Sequence, residues 1–195
     1  MLRAAFYTLG CKVNQYESNA MMSAFEEAGF TIVEPDEEAD VYVINSCTVT
    51  ATGDKKSRQA LRRFRRQSPH AVLVLCGCFP QAFPEEASLI SEADIVMGSN
   101  NRRDVLQAVQ ERLAGGERVV KILPHTAGEP FEPMKIGGFH SRTRAFLKIQ
   151  DGCERRCSYC IIPDARGPIR SKPLQDIQEE LAALGAQGYR EVVLV

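Results

Sequence analysis

The chain has 195 residues, 44% hydrophobic and 25% charged, with 24 Lys and Arg set against 25 Asp and Glu. That composition excludes a disordered tail, a collagen-like repeat and a minimal disulfide-stapled scaffold, because there is apolar material for a sizeable core. No apolar run approaches the roughly 20 residues that cross a bilayer, and MLRAAFYTLG lacks the apolar stretch and cleavage site of a signal peptide, so a cytoplasmic protein without membrane contact is expected.

In chain order, Ala4 to Thr8 reads as a strand, and Tyr16 to Ala28 places Met21, Ala24, Phe25 and Ala28 at helical spacing before Gly29. Short strands are predicted from Phe30 to Val33 and from Asp40 to Asn45, then a helix from about Gly53 to Gln67 that stops before Ser68-Pro69. Ala71 to Cys76 is a continuous apolar run, the pattern of a strand buried on both faces. A helical stretch broken by prolines follows to about Ile90, then a strand from Asp94 to Met97 and a helix from about Arg102 to Ala114. Strand and helix in alternation predict an α/β unit over 1–116, a parallel sheet with helices on both faces. Gly115-Gly116 closes it, and residues 117–140, rich in Pro and Gly, read as a connector. A second unit, 141–195, begins with a strand from Ala145 to Ile149 and continues with a helix from Leu174 to Leu184 and a strand from Glu191 to Val195.

Seven cysteines without an export signal argue against a disulfide framework and for metal or redox chemistry. Cys11, Cys47 and Cys78 each follow a predicted strand. In an open parallel sheet the loops after the strands leave at one edge, where such folds bind ligands, so three thiolates can converge there. The alternative is that three small residues merely cap strand ends. Cys76 lies in the apolar run and reads as a core thiol. Cys153, Cys157 and Cys160 have the spacing C-x3-C-x2-C. Three close thiolates with no fourth Cys or His nearby suit a [4Fe-4S] cluster with one iron left open. Structural zinc competes, but it wants four protein ligands, and His125 and His140 stand upstream at no recognisable spacing.

Charge is balanced only in total. Lys and Arg number 7 against 1 acidic residue over 51–70, and 8 against 3 over 141–172, in an otherwise acidic chain. Lys55, Lys56, Arg58, Arg62, Arg63, Arg65 and Arg66 lie on one predicted helix, beginning eight residues after Cys47. Such a face either meets a polyanion or is simply solvated.

The cysteine loop resembles that of the radical S-adenosylmethionine enzymes, C-x3-C-x-aromatic-C, with Tyr159 in the aromatic position. Together TLGCKVNQYES, VINSCTVT, GCFPQ and FLKIQDGCERRCSYCIIP resemble the methylthiotransferases of that superfamily over nearly the whole chain. The resemblance implies a Rossmann-like parallel-sheet domain followed by the start of a radical-SAM (β/α) barrel. It also implies two [4Fe-4S] clusters, one on Cys11, Cys47 and Cys78 and one on Cys153, Cys157 and Cys160, with S-adenosyl-L-methionine on the open iron of the second and Tyr159 beside it. An electron donor such as flavodoxin or ferredoxin is implied as well. The product in the family is a methylthio group on an unactivated carbon, a bond that needs radical rather than acid-base chemistry.

Lys12 to Glu17 and Lys56-Ser57-Arg58-Gln59 look like the branch acting on N6-threonylcarbamoyladenosine at position 37 of tRNA. The isopentenyladenosine branch, the ribosomal-protein aspartate branch and a non-catalytic iron-sulfur RNA-binding protein are the competing readings. With the tRNA anticodon stem-loop as partner, the seven basic residues become phosphate contacts. Arg166, Arg170 and Lys172 resemble the family's segment after the cluster loop. Asp164 departs from it, standing where Tyr is common, as does Lys172, where Arg is usual. A full (β/α)8 barrel takes roughly 250 residues, so the chain is expected to be C-terminally truncated and unable to turn over alone.

Overall fold

The computed structural model describes residues 1–49, 51–134, 136–137 and 144–195. The chain opens with β1 (Arg3–Thr8), α1 (Lys12–Glu27), β2 (Thr31–Val33), β3 (Val41–Ser46), α2 (Ala51–Gln67) and β4 (Val72–Gly77). It continues with α3 (Cys78–Ala82), α4 (Pro84–Ser88) and β5 (Ile95–Met97), then a 3-10 turn, Arg102–Asp104, leading into α5 (Val105–Leu113) and β6 (Val119–Lys121). The six strands form one parallel sheet in the order β2-β1-β3-β4-β5-β6.

β3 and β4 are buried at every position because helices cover both sides. Alternate residues face opposite ways. Phe6, Val43, Val74 and Ile95 pack with Met21 and Phe25 of α1 and Val105 and Val109 of α5. Ala5, Tyr42, Ile44, Leu73 and Leu75 pack with Leu61 and Phe64 of α2 and with Phe79. The chain runs outward from β1 to β2, then returns to β3 on the other side of β1. The loops after β1 and β3 therefore diverge to opposite faces and leave a crevice between them, the place where open α/β sheets hold ligands.

A smaller unit follows. β7 (Ala145–Leu147) pairs in parallel with β10 (Val192–Leu194), and α7 (Leu174–Ala186) lies between them in the chain. β8 (Gln150–Asp151) and β9 (Arg170–Ser171) form an antiparallel pair flanking α6 (Ile162–Arg166).

Three features depart from expectation. α1 begins at Lys12, four residues before the predicted Tyr16, because its first turns bury polar side chains, Asn14 and Glu17, that leave no apolar periodicity. The sheet takes a sixth strand, β6, from the segment expected to be a connector. As a three-residue edge strand, more exposed than buried, it shows little hydrophobic alternation. The strand expected over Ala145 to Ile149 ends at Leu147, and Lys148 turns inward.

Phe64 is fully buried and stacks on Tyr42 with ring centroids 4.5 Å apart. Phe64→Ala should cost about 3–5 kcal/mol, read as a lower urea midpoint at unchanged m-value.

Candidate functional site

The crevice at the strand-order reversal holds three cysteines. Cys11 caps the N-terminus of α1, Cys47 directly follows β3, and Cys78 is the first residue of α3. Two glycines allow the loops to meet. Gly10 has φ +94°, and a Cβ there would lie 2.5 Å from Cys47 Sγ. Gly77 has φ +95°, and a Cβ there would lie 2.5 Å from Asn45 Oδ1. Any other residue would be strained at both positions and would push the cysteine loops apart.

Asn14 stands at the centre. Its Nδ2 donates to the carbonyls of Leu9 and Ser46, each at 2.8 Å, so the loops after β1 and β3 fix the amide. Its Oδ1 therefore faces the Cys11 and Cys78 thiols, each 3.8 Å away, and also accepts a hydrogen bond from Arg166 Nη2. Cys78 is buried, and burial pushes its thiol pKa up against the opposing pull of Arg166 and Arg102. Cys76 packs in the core, where burial raises its pKa to about 12.

Behind Asn14 lies a buried ionic network. Glu17 of α1 is 0% exposed. It meets Lys148 Nζ at 2.7 Å, Arg166 Nη1 at 2.7 Å and Arg102 Nη2 at 3.0 Å. Asp151 accepts from Lys148 at 2.6 Å and from Arg166 at 3.1 Å, and Arg170 lies 3.3 Å away. Arg170 also bonds Glu129. The carboxylates belong to α1, β8 and the segment before β7, so the network fastens the two units together. Burial alone would raise the Glu17 pKa, but Arg102, Arg166 and Lys148 outweigh it and hold it at about 2.

Cys153, Cys157 and Cys160 lie on an open loop. Cys157 is exposed and the other two are half-buried. The loop is pinned at its ends, where Cys153 N donates to Gly167 O at 3.0 Å and Cys160 N to Cys157 O at 2.9 Å. Tyr159 is 90% exposed, its ring facing solvent. His125 is committed elsewhere, its Nε2 2.8 Å from Ser99 Oγ and its Nδ1 facing Glu129 and Arg170. His140 lies outside the described residues.

Among the described residues, no three His, Cys, Asp or Glu side chains close on one point as a single metal ion demands. A four-iron cluster is wider than an ion and holds its thiolates apart. An all-thiol donor set around a crevice opened by glycine, and the C-x3-C-x2-C loop, both suit such a cluster better than zinc.

The seven basic residues of α2 divide. Arg58 pairs with Glu86, Arg62 with Glu92 and Arg65 with Asp94. Arg65 also donates to the carbonyls of Pro69, Ala71 and Glu92. Lys55, Lys56, Arg63 and Arg66 are exposed and have no carboxylate partner among the described residues.

Two family models match the chain: Uncharacterized protein family UPF0004 over residues 3–98 and the Radical SAM superfamily over residues 147–195. Threonylcarbamoyladenosine tRNA methylthiotransferase MtaB of Bacillus subtilis (strain 168) is 42% identical, covering 100% of this chain and 43% of its own length. MtaB of Aquifex aeolicus (strain VF5) is 37% identical over 99% of this chain and 47% of its own. Along its length the chain is similar to radical-SAM methylthiotransferases. Ribosomal protein uS12 methylthiotransferase RimO of Desulforudis audaxviator (strain MP104C) is 36% identical over 99% of this chain and 43% of its own. The chain thus spans less than half the length of these relatives. No helix among its described residues is long and apolar enough to cross a membrane.

Sequence reasoning quoted Asn14, Glu17, Lys148 and Asp151 only within motifs, giving them no role of their own, and it assigned none to Arg102. One signal was there for Glu17: it stands four residues before Met21, where the apolar stripe of α1 would continue one turn back. A carboxylate in that place needs buried cations.

Glu17→Gln would leave three buried cations short of an anion and should cost about 3–5 kcal/mol. Its folded pKa lies below the ordinary 4.5, so the stability it adds is complete above about pH 4.5 and lost as pH falls toward about 2. The pH dependence of unfolding should therefore flatten in that window in the variant. Because Asp151 is shifted in the same direction, the acid limb should shrink and not vanish.

Proposed function

We propose that the chain works in a tRNA-modifying methylthiotransferase that places a methylthio group on C2 of N6-threonylcarbamoyladenosine at position 37. The observation that carries this reading is that Cys11 and Cys78 face Asn14, and Cys47 lies against Gly10, at the switch-point crevice. In this reading those three hold one [4Fe-4S] cluster, while Cys153, Cys157 and Cys160 hold a second whose open iron takes S-adenosylmethionine, with Tyr159 at its edge. When bound, the second cluster and S-adenosylmethionine supply a carbon-centred radical able to abstract hydrogen from an unactivated position, and the first supplies a site for sulfur.

The chain's own residues hold these groups in place. Gly10 and Gly77 let the cysteine loops approach, Asn14 fixes the loops after β1 and β3 to each other, and the Glu17 network ties the loop bearing Cys153 to the sheet. The names of the two MtaB relatives support a tRNA substrate, and the open C-x3-C-x2-C loop leaves room for one. A reductant of the flavodoxin or ferredoxin class completes the reading.

Anaerobic reconstitution and iron counting test the cluster assignment. Replacing Cys153, Cys157 and Cys160 together with Ala should remove about half of the iron and keep the absorbance of the other cluster. Loss of all iron would defeat the two-site reading. Methylthiolation assays of a protein containing this chain, on tRNA and on ribosomal protein uS12, separate the branches.

The RNA contact falls to Lys55, Lys56, Arg63 and Arg66. Changing all four to Gln should weaken anticodon stem-loop binding at low salt and lower the slope of log affinity against log salt by about 1 for each phosphate that is no longer neutralised. Arg65→Gln should instead lower the unfolding midpoint, because its guanidinium is held by Asp94 and three carbonyls.

A further inference from the structure

Arg166 ends α6, the helix that begins two residues after Cys160, yet its guanidinium reaches the crevice holding Cys11 and Cys78. It is 4% exposed. One nitrogen, Nη1, bonds Glu17 Oε1 and Asp151 Oδ1, while Nη2 bonds Glu17 Oε2 and Asn14 Oδ1. Arg166 shares the neutralising of Glu17 and Asp151 with Lys148, which bonds both, and with Arg102, which meets Glu17 from the other side, but it also makes a contact those two do not. What Arg166 adds is the contact to Asn14, whose oxygen faces two of the three cysteines.

We propose that Arg166 is a positioning residue for the first cysteine site: it holds the Asn14 amide between Cys11 and Cys78 and brings a permanent positive charge to that site, making a cluster held there easier to reduce. The inference rests on the cluster assignment made above. A cluster's potential follows its net charge, the hydrogen bonds around its sulfurs and its exposure to solvent. A guanidinium cannot lose its proton in a protein, so its charge is constant. In a buried setting that charge is poorly screened by solvent, and although Glu17 and Asp151 offset part of it, removing it leaves their negative charges uncompensated beside the site. Reduction adds one electron to the cluster, and neither Asn14 nor Arg166 gains or loses a proton with it. Because Arg166 sits on the helix following the second cysteine loop, the same side chain sets the spacing between the two cysteine sites.

The test is the midpoint potential of the first cluster, read by EPR during a redox titration of the full chain with Cys153, Cys157 and Cys160 changed to Ala. Arg166→Gln should make the potential more negative, by at least about tenfold in the one-electron equilibrium, ~59 mV. Arg166→Lys keeps the charge against Glu17 and Asp151 and should remain within that margin. Asn14→Asp sets a carboxylate between the thiolates and Arg166 and should shift the potential negative, which keeps the test decisive if Arg166→Gln fails to fold. A wild-type potential in Arg166→Gln, or in Asn14→Asp where only that variant folds, overturns the inference. Absence of any iron-sulfur signal from the parent chain overturns the cluster assignment itself, a different failure.

Discussion

A carboxylate with no exposure to water, Glu17, is the constraint on which the arrangement depends. Removing such a charge from water costs several kcal/mol unless its partners are close and well aimed. Here they come from three places in the chain: Arg102 before α5, Lys148 after β7 and Arg166 at the end of α6. If any of the three moved, Glu17 would lose part of the compensation for its burial. The sheet and the smaller unit are therefore held together by directional contacts as well as by packing of Tyr16 against Ala145, Phe146 and Leu184. Apolar packing alone would permit sliding, whereas a forked guanidinium permits one geometry.

That constraint reaches the cysteines through one turn of helix. Asn14 and Glu17 lie three residues apart and so share a face of α1. When Arg166 fixes Glu17, the same guanidinium fixes Asn14, and Asn14 holds the carbonyls of Leu9 and Ser46. The first cysteine site is thus braced by the backbone, with Cys47 and Cys78 buried and Cys11 at its exposed mouth. The second is a loop pinned only near its ends, with Cys157 and Tyr159 facing solvent. A site that must admit both a cofactor and a macromolecular substrate has reason to stay open, while a site that only has to keep its contents in place has reason to be rigid.

The strands and the cysteine positions were legible because each rests on a local rule. β3 and β4 are continuous apolar runs, and a parallel sheet puts the residues after its strands at one edge. The pairing of Asn14 and Glu17 with Arg166 was not, although all three stand in segments that carry the resemblance, because what defines it is separation: Arg166 meets Glu17 149 residues along the chain, and no local period records such a pair. β6, β8 and β9 escaped for a related reason. Strands of two or three residues have too few positions for alternation to show, and only their partners across the ladder define them.

The basic helix shows how composition misleads when charges are counted before they are paired. Seven cations against one anion suggests a surface given over to a polyanion, yet Arg58, Arg62 and Arg65 face Glu86, Glu92 and Asp94 from the segment between α3 and β5. Part of the acidic background is therefore the internal complement of the basic segment, and Arg65 belongs to the fold. What remains free is not spread evenly. Lys55 and Lys56 stand on the first turns of α2, and Gly53 on the same turns packs against the Cys47 carbonyl. Arg63 and Arg66 continue the exposed side two to three turns further on. In the proposed reading, a phosphate backbone lying along these four would start beside the first cysteine site and lead away from it.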